Sequence, residues 1–234
     1  MPIVKSQTPS YQVVLISACL LLVLSFGYRA GFGLFMVPMS EAREWGRDVF
    51  GLALAVQNLS WGVCAILAGA LADKYGNLRV LLGSVALYAI GMLGMSLSST
   101  ETQIVSTAGL LVGAGIAGTS FGIVLPSIAR AVPGEKRARA LGIGTAAGSF
   151  GQFLVVPVIA SVVDVVGWMH ALQYLGLSAF LMALLCIPLS KFGGANDTSG
   201  AESDASMSLK NVALQACSIK SSRLLVFGFF VCGF

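Results

Sequence analysis

Charged residues are scarce in this sequence. Only 10% of its 234 residues are charged, whereas a soluble domain carries about 25%. This scarcity excludes an ordinary soluble globular protein. The basic residues, 14 against 10 acidic ones, are spread over short segments instead of one patch, so we predict no nucleic-acid partner.

Residues that hold metals or perform acid–base catalysis are also few. There is one histidine, His170, and none of the five cysteines belongs to a Cys-x-x-Cys pair. The spacing typical of zinc sites is therefore missing, and we predict neither a metal nor another cofactor. No pair of carboxylates lies inside an apolar segment. Since acid–base chemistry needs such a pair within reach of a substrate, we predict that the protein is not an enzyme.

Long apolar runs are what the sequence has in quantity. Hydrophobic residues make up 56% of the chain, and about 20 of them in a helix cross the hydrocarbon core of a bilayer. We predict an all-α membrane protein in a lipid bilayer, with residues 12–190 forming a six-helix transmembrane domain. The six predicted spans are residues 12–38, 50–72, 80–98, 104–129, 140–163 and 169–190.

The segment after the sixth run has a different composition. Residues 191–222 begin as a polar, Gly- and Ser-rich stretch, which is typical of a linker. Residues 223–234 are apolar but too few to cross a bilayer as a helix. We interpret them as the start of a truncated seventh span, so that the chain looks like the front part of a longer protein.

The positions of lysine and arginine predict the orientation. With the N-terminal segment, residues 1–11, in the cytoplasm, 11 of the 14 basic residues fall in inside segments. Arg43 and Arg47 then lie outside, and Arg29 lies within the membrane. Because inside loops carry the excess of basic residues, we expect a multi-pass protein of the cell (inner) membrane with a cytoplasmic N-terminus and a cytoplasmic linker, 191–222.

The short pattern Asp-x-x-Gly occurs after both the second and the fifth runs, and we call this repetition the internal echo. Asp73 precedes Gly76 by three residues, and Asp164 precedes Gly167 by three residues, 91 positions later (164 − 73 = 91). One of these turns is predicted inside and the other outside. The echo therefore indicates two three-span repeats of opposite topology, an arrangement common in transporters.

The turn between the second and third runs reads GALADKYGNLRV, from Gly69 to Val80. Asp73 would end a helix, where the helix dipole disfavours a carboxylate, so it needs a cationic partner. Arg130, at the end of the fourth run, is the natural candidate. We predict a conformational latch that comprises Gly69, Asp73, Lys74, Gly76, Arg79 and Arg130.

This turn resembles the signature loop of the major facilitator superfamily, Gly-x-Leu-Ala-Asp-[Arg/Lys]-x-Gly-[Arg/Lys]-[Arg/Lys]. Asn77 and Leu78 depart from the basic pair, and Arg79 supplies the charge one position later. The fifth run resembles the Gly- and Pro-rich fifth helix of the same family. The resemblance implies two six-helix halves, each built from two inverted three-helix repeats, which rock around a central site. This chain would be the N-terminal half.

Arg29 is the single charge in the 29 residues from Tyr11 to Met39. A charge at the bilayer centre costs at least about 2.5–3.5 kcal/mol, so this side chain should face protein or water. No acidic residue within a run neutralises it, and its forked guanidinium suits a carboxylate. The resemblance implies that spans one, two, four and five line a central cavity. We therefore predict that Arg29 binds a small organic anion at a site lined by polar and aromatic side chains of these spans, namely Tyr28, Gln57, Asn58, Trp61, Ser149 and Gln152.

The stretch that begins at Gly27 also resembles bacterial relatives of monocarboxylate transporters and oxalate:formate antiporters, which implies the same class of substrate. The predicted function is secondary active transport of a monocarboxylate-like anion by alternating access, as a symporter with a coupling proton or an antiporter with a counter-anion. Two alternatives stay open. One is an exporter of apolar or drug-like compounds, and the other is a non-transporting sensor or partner protein of the membrane.

Overall fold

The computed structural model describes residues 10–190. The predicted segments 191–222 and 223–234, and residues 1–9 of the N-terminal segment, lie outside the described residues. Within them the predicted all-α fold is confirmed. The elements are α1 (Tyr11–Ala30), α2 (Gly33–Arg43), α3 (Arg47–Tyr75), α4 (Asn77–Leu97), α5 (Glu101–Ile104), a π-helical segment (Val105–Leu111), α6 (Val112–Thr119), α7 (Phe121–Ala131) and α8 (Gly134–Leu189).

Five helical stretches of the described chain are long and apolar enough to cross a membrane. The last of them, α8, has 56 residues and is broken at Gly167, whose φ of 79° and ψ of 160° are not helical. Its two arms, residues 134–166 and 168–189, each exceed the roughly 20 residues that one crossing needs. The stretches therefore form six spans, whose ends differ from the predicted bounds by up to six residues.

Spans one and four are interrupted near their middles. In span one, α1 passes into α2 through Gly31 and Phe32, where the backbone hydrogen bonds tighten to three-residue spacing. In span four, α6 ends before Ser120, whose φ of −93° and ψ of −173° are extended. The two interrupted spans meet nearby, because the Ser25 and Thr119 hydroxyls lie 2.9 Å apart.

Close contacts between the spans depend on glycine. A Cβ atom at Gly113 would lie 2.6 Å from the Gln57 carbonyl oxygen in span two, and one at Gly115 would lie 2.6 Å from the Tyr88 nitrogen in span three. Lipid tails are as apolar as leucine, so helices in a membrane associate mainly through such close packing. Span four is accordingly the central helix against which spans two and three pack.

One end of the bundle is mainly basic. Lys136 Nζ lies 3.5 Å from the Tyr11 hydroxyl, and Asn77 Nδ2 donates to Ser127 Oγ over 2.8 Å. These contacts place the start of span one, the turn between spans two and three, and the connection between spans four and five together. We call this the basic end, because its described cations are Lys74, Arg79, Arg130, Lys136, Arg137 and Arg139, against Asp73 and Glu135.

The opposite end is mainly acidic. The Arg43 guanidinium lies 5.8 Å from the centre of the Trp168 ring, which joins the end of span one to the break in α8. Asp48 and Glu101 line one groove between spans two and four. We call this the acidic end, because its described carboxylates are Glu41, Glu44, Asp48, Glu101 and Asp164, against Arg43 and Arg47.

Candidate functional site: an arginine in the first span

Arg29 lies near the middle of span one, one residue before the end of α1. Its Nη2 donates a 2.8 Å hydrogen bond to Asn58 Oδ1 of span two. Asn58 is in turn held in place, because its Nδ2 donates to the Leu54 carbonyl over 3.0 Å. The guanidinium is thus oriented by a neutral amide, which leaves its positive charge uncompensated by that partner.

Three aromatic rings, those of Phe26, Trp61 and Phe121, lie beside the arginine and form what we call the aromatic wall. The Arg29 Cζ atom lies 4.9 Å from the centre of the Trp61 ring, a cation–π distance. Phe26 meets the Trp61 ring edge-on at 6.1 Å, and stacks on Phe121 of span four at 4.5 Å. Trp61 Nε1 donates to Ser120 Oγ over 3.3 Å. The wall therefore joins span two to both interrupted spans beside the guanidinium.

One nitrogen of this arginine has no partner. Arg29 Nε is buried and makes no hydrogen bond within residues 10–190. In the same part of the chain no carboxylate oxygen lies within 4.0 Å of the guanidinium. A buried donor without an acceptor loses the free energy of its bond to water, so an acceptor arriving at Nε would recover it.

Two of the predicted lining residues make hydrogen bonds to groups other than Arg29. Gln57 is only 1% exposed, and its Nε2 donates to the Ala108 carbonyl of the π-helical segment over 2.9 Å. The Tyr28 hydroxyl lies 2.8 Å from Ser178 Oγ in the second arm of α8. Both side chains hold spans together in this structure. Of the predicted lining set, Asn58 and Trp61 are the residues that contact Arg29.

Ser149 and Gln152 lie on an exposed face of α8. The neighbouring face packs on spans four and one: a Cβ atom at Gly148 would lie 2.9 Å from the Phe121 ring of span four, and Gly151 faces the Val23 backbone of span one. The structure gives neither polar side chain a contact with Arg29. Their role as lining residues stays a prediction.

The predicted latch residues occupy the turn at the basic end. Gly76 has a φ of 87° and a ψ of 150°, so the one-residue turn between α3 and α4 requires a glycine. Asp73, Lys74, Arg79 and Arg130 are exposed, and Gly69 lies within α3. Within residues 10–190 the structure contains no ion pair between Asp73 and Arg130.

Asn77 and Ser127 supply the contact between this turn and span four. Both side chains are buried, and Asn77 Nδ2 donates to Ser127 Oγ over 2.8 Å. The sequence predicted Asn77 only as a departure from the basic residue usual at that position of the signature loop. The feature that could have identified its structural role is its position, directly after a turn glycine and at the start of an apolar helix.

Residues 118–122 match the spacing Gly-x-Ser-x-Gly, which in some hydrolases marks a nucleophilic serine on a strand-to-helix turn. Here Ser120 connects two helices, its Oγ donates to the Ala117 carbonyl over 3.1 Å, and it also accepts from Trp61. His170 lies at the acidic end, its ring beside the Val166 carbonyl. Ser120 therefore has neither the strand context nor an adjacent base.

Within residues 10–190, no group of three His, Cys, Asp or Glu residues could hold a metal ion.

Comparison with known proteins gives consistent relatives. The chain is 27% identical to "Probable anion transporter 3, chloroplastic" of Arabidopsis thaliana over 175 residues, which are 71% of this chain and 33% of that protein. It is 27% identical to "Probable anion transporter 2, chloroplastic" of Oryza sativa subsp. japonica, over 76% of this chain and 34% of that protein. It is 25% identical to "Uncharacterized MFS-type transporter YcxA" of Bacillus subtilis (strain 168), over 88% of this chain and 50% of that protein.

The chain therefore spans about a third to a half of the length of these curated relatives. The family model of the Major Facilitator Superfamily matches residues 18–234, nearly the whole chain. That match agrees with the all-α fold and the apolar helical spans of residues 10–190. The chain belongs to the major facilitator superfamily, a family of membrane transporters and not of enzymes.

Proposed function

We propose that this protein is a secondary active transporter of small organic anions, in which Arg29 holds the carboxylate of the substrate. The observation that carries the proposal is the arrangement of the Arg29 guanidinium. It is bound by the neutral Asn58 amide and faces the Trp61 ring, and its buried Nε makes no hydrogen bond to any of residues 10–190. A fixed cation of this kind in a membrane is costly unless an anion compensates it.

The geometry of the guanidinium favours a carboxylate over a halide or a neutral solute. Two parallel N–H groups of an arginine match the two oxygens of a carboxylate, and such charge-assisted bonds are about twice as strong as neutral ones. Nη2 already donates one proton to Asn58, so the remaining Nη protons are available to the substrate, and the buried Nε becomes available when the side chain moves on binding. Several relatives are named as probable anion transporters, which supports the same class of substrate.

Transport by alternating access requires a second set of helices opposite this site. We propose that a C-terminal six-helix half, beyond the present chain, closes the site, and that a coupling proton or a counter-anion drives the cycle. We further propose that the basic end faces the cytoplasm and that the protein lies in the cell (inner) membrane. Six described cations lie at the basic end against two at the acidic end, in line with the excess of basic residues in inside loops.

The latch belongs to the same proposal. Asp73 and Arg130 are exposed at the basic end, where the two halves of a rocking transporter would meet. We propose that they become paired when the inside face closes. The buried Asn77–Ser127 hydrogen bond would keep the turn fixed on span four meanwhile.

Uptake by the intact protein in proteoliposomes tests the role of Arg29. Labelled formate, oxalate and lactate are compared with neutral analogues, for the wild type and for Arg29→Gln. We expect saturable carboxylate uptake whose kcat/KM falls at least about 30-fold in the variant, because removal of one partner of a buried charged pair costs about 2 kcal/mol or more. Uptake of neutral analogues should stay at background in both.

Arg47→Gln is the matched control, since Arg47 is an exposed arginine at the acidic end. It should retain wild-type carboxylate uptake. If Arg29→Gln is stably folded and transports carboxylates as the wild type does, Arg29 does not hold the substrate.

The second candidate function is export of apolar compounds. The aromatic wall of Phe26, Trp61 and Phe121 favours it, because stacked rings bind apolar solutes as well as they support a cation. Efflux of a hydrophobic dye that is unaffected by Arg29→Gln and reduced by Trp61→Ala would favour this function over anion transport. Membership of a transporter family makes the non-transporting sensor the weaker of the two alternatives.

A further inference from the structure

An apolar groove of about 390 Å³ runs along the outer surface between spans two and three, with span four at its base. It is separate from the Arg29 site and shares no residue with it. Its lining is almost wholly apolar, and the exceptions are weakly polar or lie at one end. On α3 the lining includes Cys64, Leu67, Leu71 and Tyr75; on α4, Arg79, Val80, Gly83 and Leu87.

The length of the groove matches one leaflet of a bilayer. Cys64 and Tyr75 are eleven residues apart on α3, which at about 1.5 Å per residue corresponds to roughly 16 Å. The hydrocarbon core of a bilayer is about 30 Å thick, so the groove reaches from the basic end to about the midplane. A solute that fills it along its length is therefore an apolar chain with one end at the membrane surface.

Cations stand only at the surface end of the groove. Arg79 lines it directly, and Lys74 Nζ lies 5.2 Å from the centre of the Tyr75 ring, which forms part of the lining. Asp73 precedes Lys74 but does not line the groove. Two cations beside an apolar channel of leaflet depth complement a molecule with an anionic head and a hydrocarbon tail.

We propose that this groove binds an anionic phospholipid, with one acyl chain between α3 and α4 and the phosphate at Arg79 and Lys74. Basic pockets between transmembrane helices recognise lipid head groups by the same combination of charge and burial. The phosphate would then sit on the turn that contains Gly76, next to Asp73. Lipid binding would thereby bring a negative charge to the residues of the proposed latch.

Lipid retention by the intact protein tests this assignment. The protein is reconstituted in nanodiscs of equal parts phosphatidylcholine and phosphatidylglycerol, extracted in mild detergent, and its bound lipids are counted by native mass spectrometry. Arg79→Gln should lower the preference for phosphatidylglycerol about fivefold, the effect of one basic residue near an anionic head group. Gly83→Leu should remove one retained lipid of either kind, because a Cβ at Gly83 meets nothing within 4 Å and a larger side chain would fill the groove.

Two controls separate this site from general effects. Arg137→Gln removes an exposed cation at the same end, and Gly142→Leu enlarges another exposed glycine whose added Cβ meets nothing within 4 Å. Both should leave lipid retention as in the wild type. The proposal is overturned if Arg79→Gln acts no more strongly than Arg137→Gln, or if Gly83→Leu retains as many lipids as Gly142→Leu, as it would if a protein segment covered the groove. Because retention is measured without substrate, the result is independent of the anion proposal.

Discussion

The first and second three-span repeats share a backbone plan and differ in chemistry. The first repeat covers α1 to α4 and the second covers α5 to α8. Each begins with an interrupted span, at Gly31 and Phe32 in the first and at Ser120 in the second. Each joins its second span to its third through one glycine of positive φ, Gly76 at 87° and Gly167 at 79°.

Charge separates the two repeats. The offset of 91 positions between the turn glycines (167 − 76 = 91) places Ser120 opposite Arg29 in the repeat. The first repeat therefore carries a cation at its interruption, and the second carries a hydroxyl that contacts the same tryptophan, Trp61. The difference is in line with the proposal that Arg29, which has no charged counterpart in the second repeat, holds the substrate.

Substitution at these corresponding positions, Arg29 and Ser120, should give the largest difference between the repeats. Arg29→Lys retains the charge but loses the guanidinium fork, so we expect the KM for carboxylates to rise about tenfold or more, the cost of one charge-assisted hydrogen bond. Ser120→Ala removes a long contact to Trp61 and a local bond to the Ala117 carbonyl, and should change KM by less than about threefold. Initial rates of uptake in proteoliposomes measure both; equal effects would remove the distinction.

Substitution of either turn glycine should lower the stability by a similar amount, because the two glycines share a conformation. Gly76→Ala and Gly167→Ala should each destabilise the protein by about 1–3 kcal/mol, since positive φ with ψ near 150° is accessible almost only to glycine. Gly62→Ala in α3 and Gly142→Ala in α8 are matched controls in helical, uncrowded positions, and should stabilise by up to about 1 kcal/mol. Thermal unfolding in detergent checks the set; a stable Gly167→Ala would show that the break is not a true repeat of the turn.

Substitution of the two turn aspartates should give the smallest difference in transport rate between the repeats. Asp73→Asn should slow carboxylate transport about two- to fivefold, as expected for the loss of an exposed ion pair, whereas Asp164→Asn should transport at the wild-type rate. Asp73 stands among basic residues, while Asp164 stands at the acidic end. Transport rates at saturating substrate decide the matter. The latch proposal fails if Asp73→Asn is as active as Asp164→Asn.

The sequence predicted what depends on composition and short motifs. Apolar run length predicted the six spans, and the Asp-x-x-Gly echo marked the turns at which both positive-φ glycines occur. The lone charge identified Arg29, and the polar residues of span two included its partner, Asn58. The family resemblance is confirmed by the match over residues 18–234.

What the sequence left undetermined is the direction of each side chain. Gln57 and Asn58 are consecutive polar residues in one span, but successive helical residues point about 100° apart. One of them therefore ties span two to the Ala108 carbonyl, and the other meets Arg29. Composition cannot separate these roles, because a polar side chain in a membrane helix satisfies its hydrogen bonds either way. No residue type in the sequence marks the π-helical segment, Val105–Leu111, either.

The turn at Gly76 has a mechanical consequence. Only one residue separates the last residue of α3 from the first residue of α4, and consecutive Cα atoms are about 3.8 Å apart. Such a short connection keeps the two helix ends close together, and the Asn77–Ser127 hydrogen bond attaches it to span four. We therefore expect the ends of spans two and three at this turn to move together, and a displacement applied there to reach the end of span four through the Asn77–Ser127 hydrogen bond.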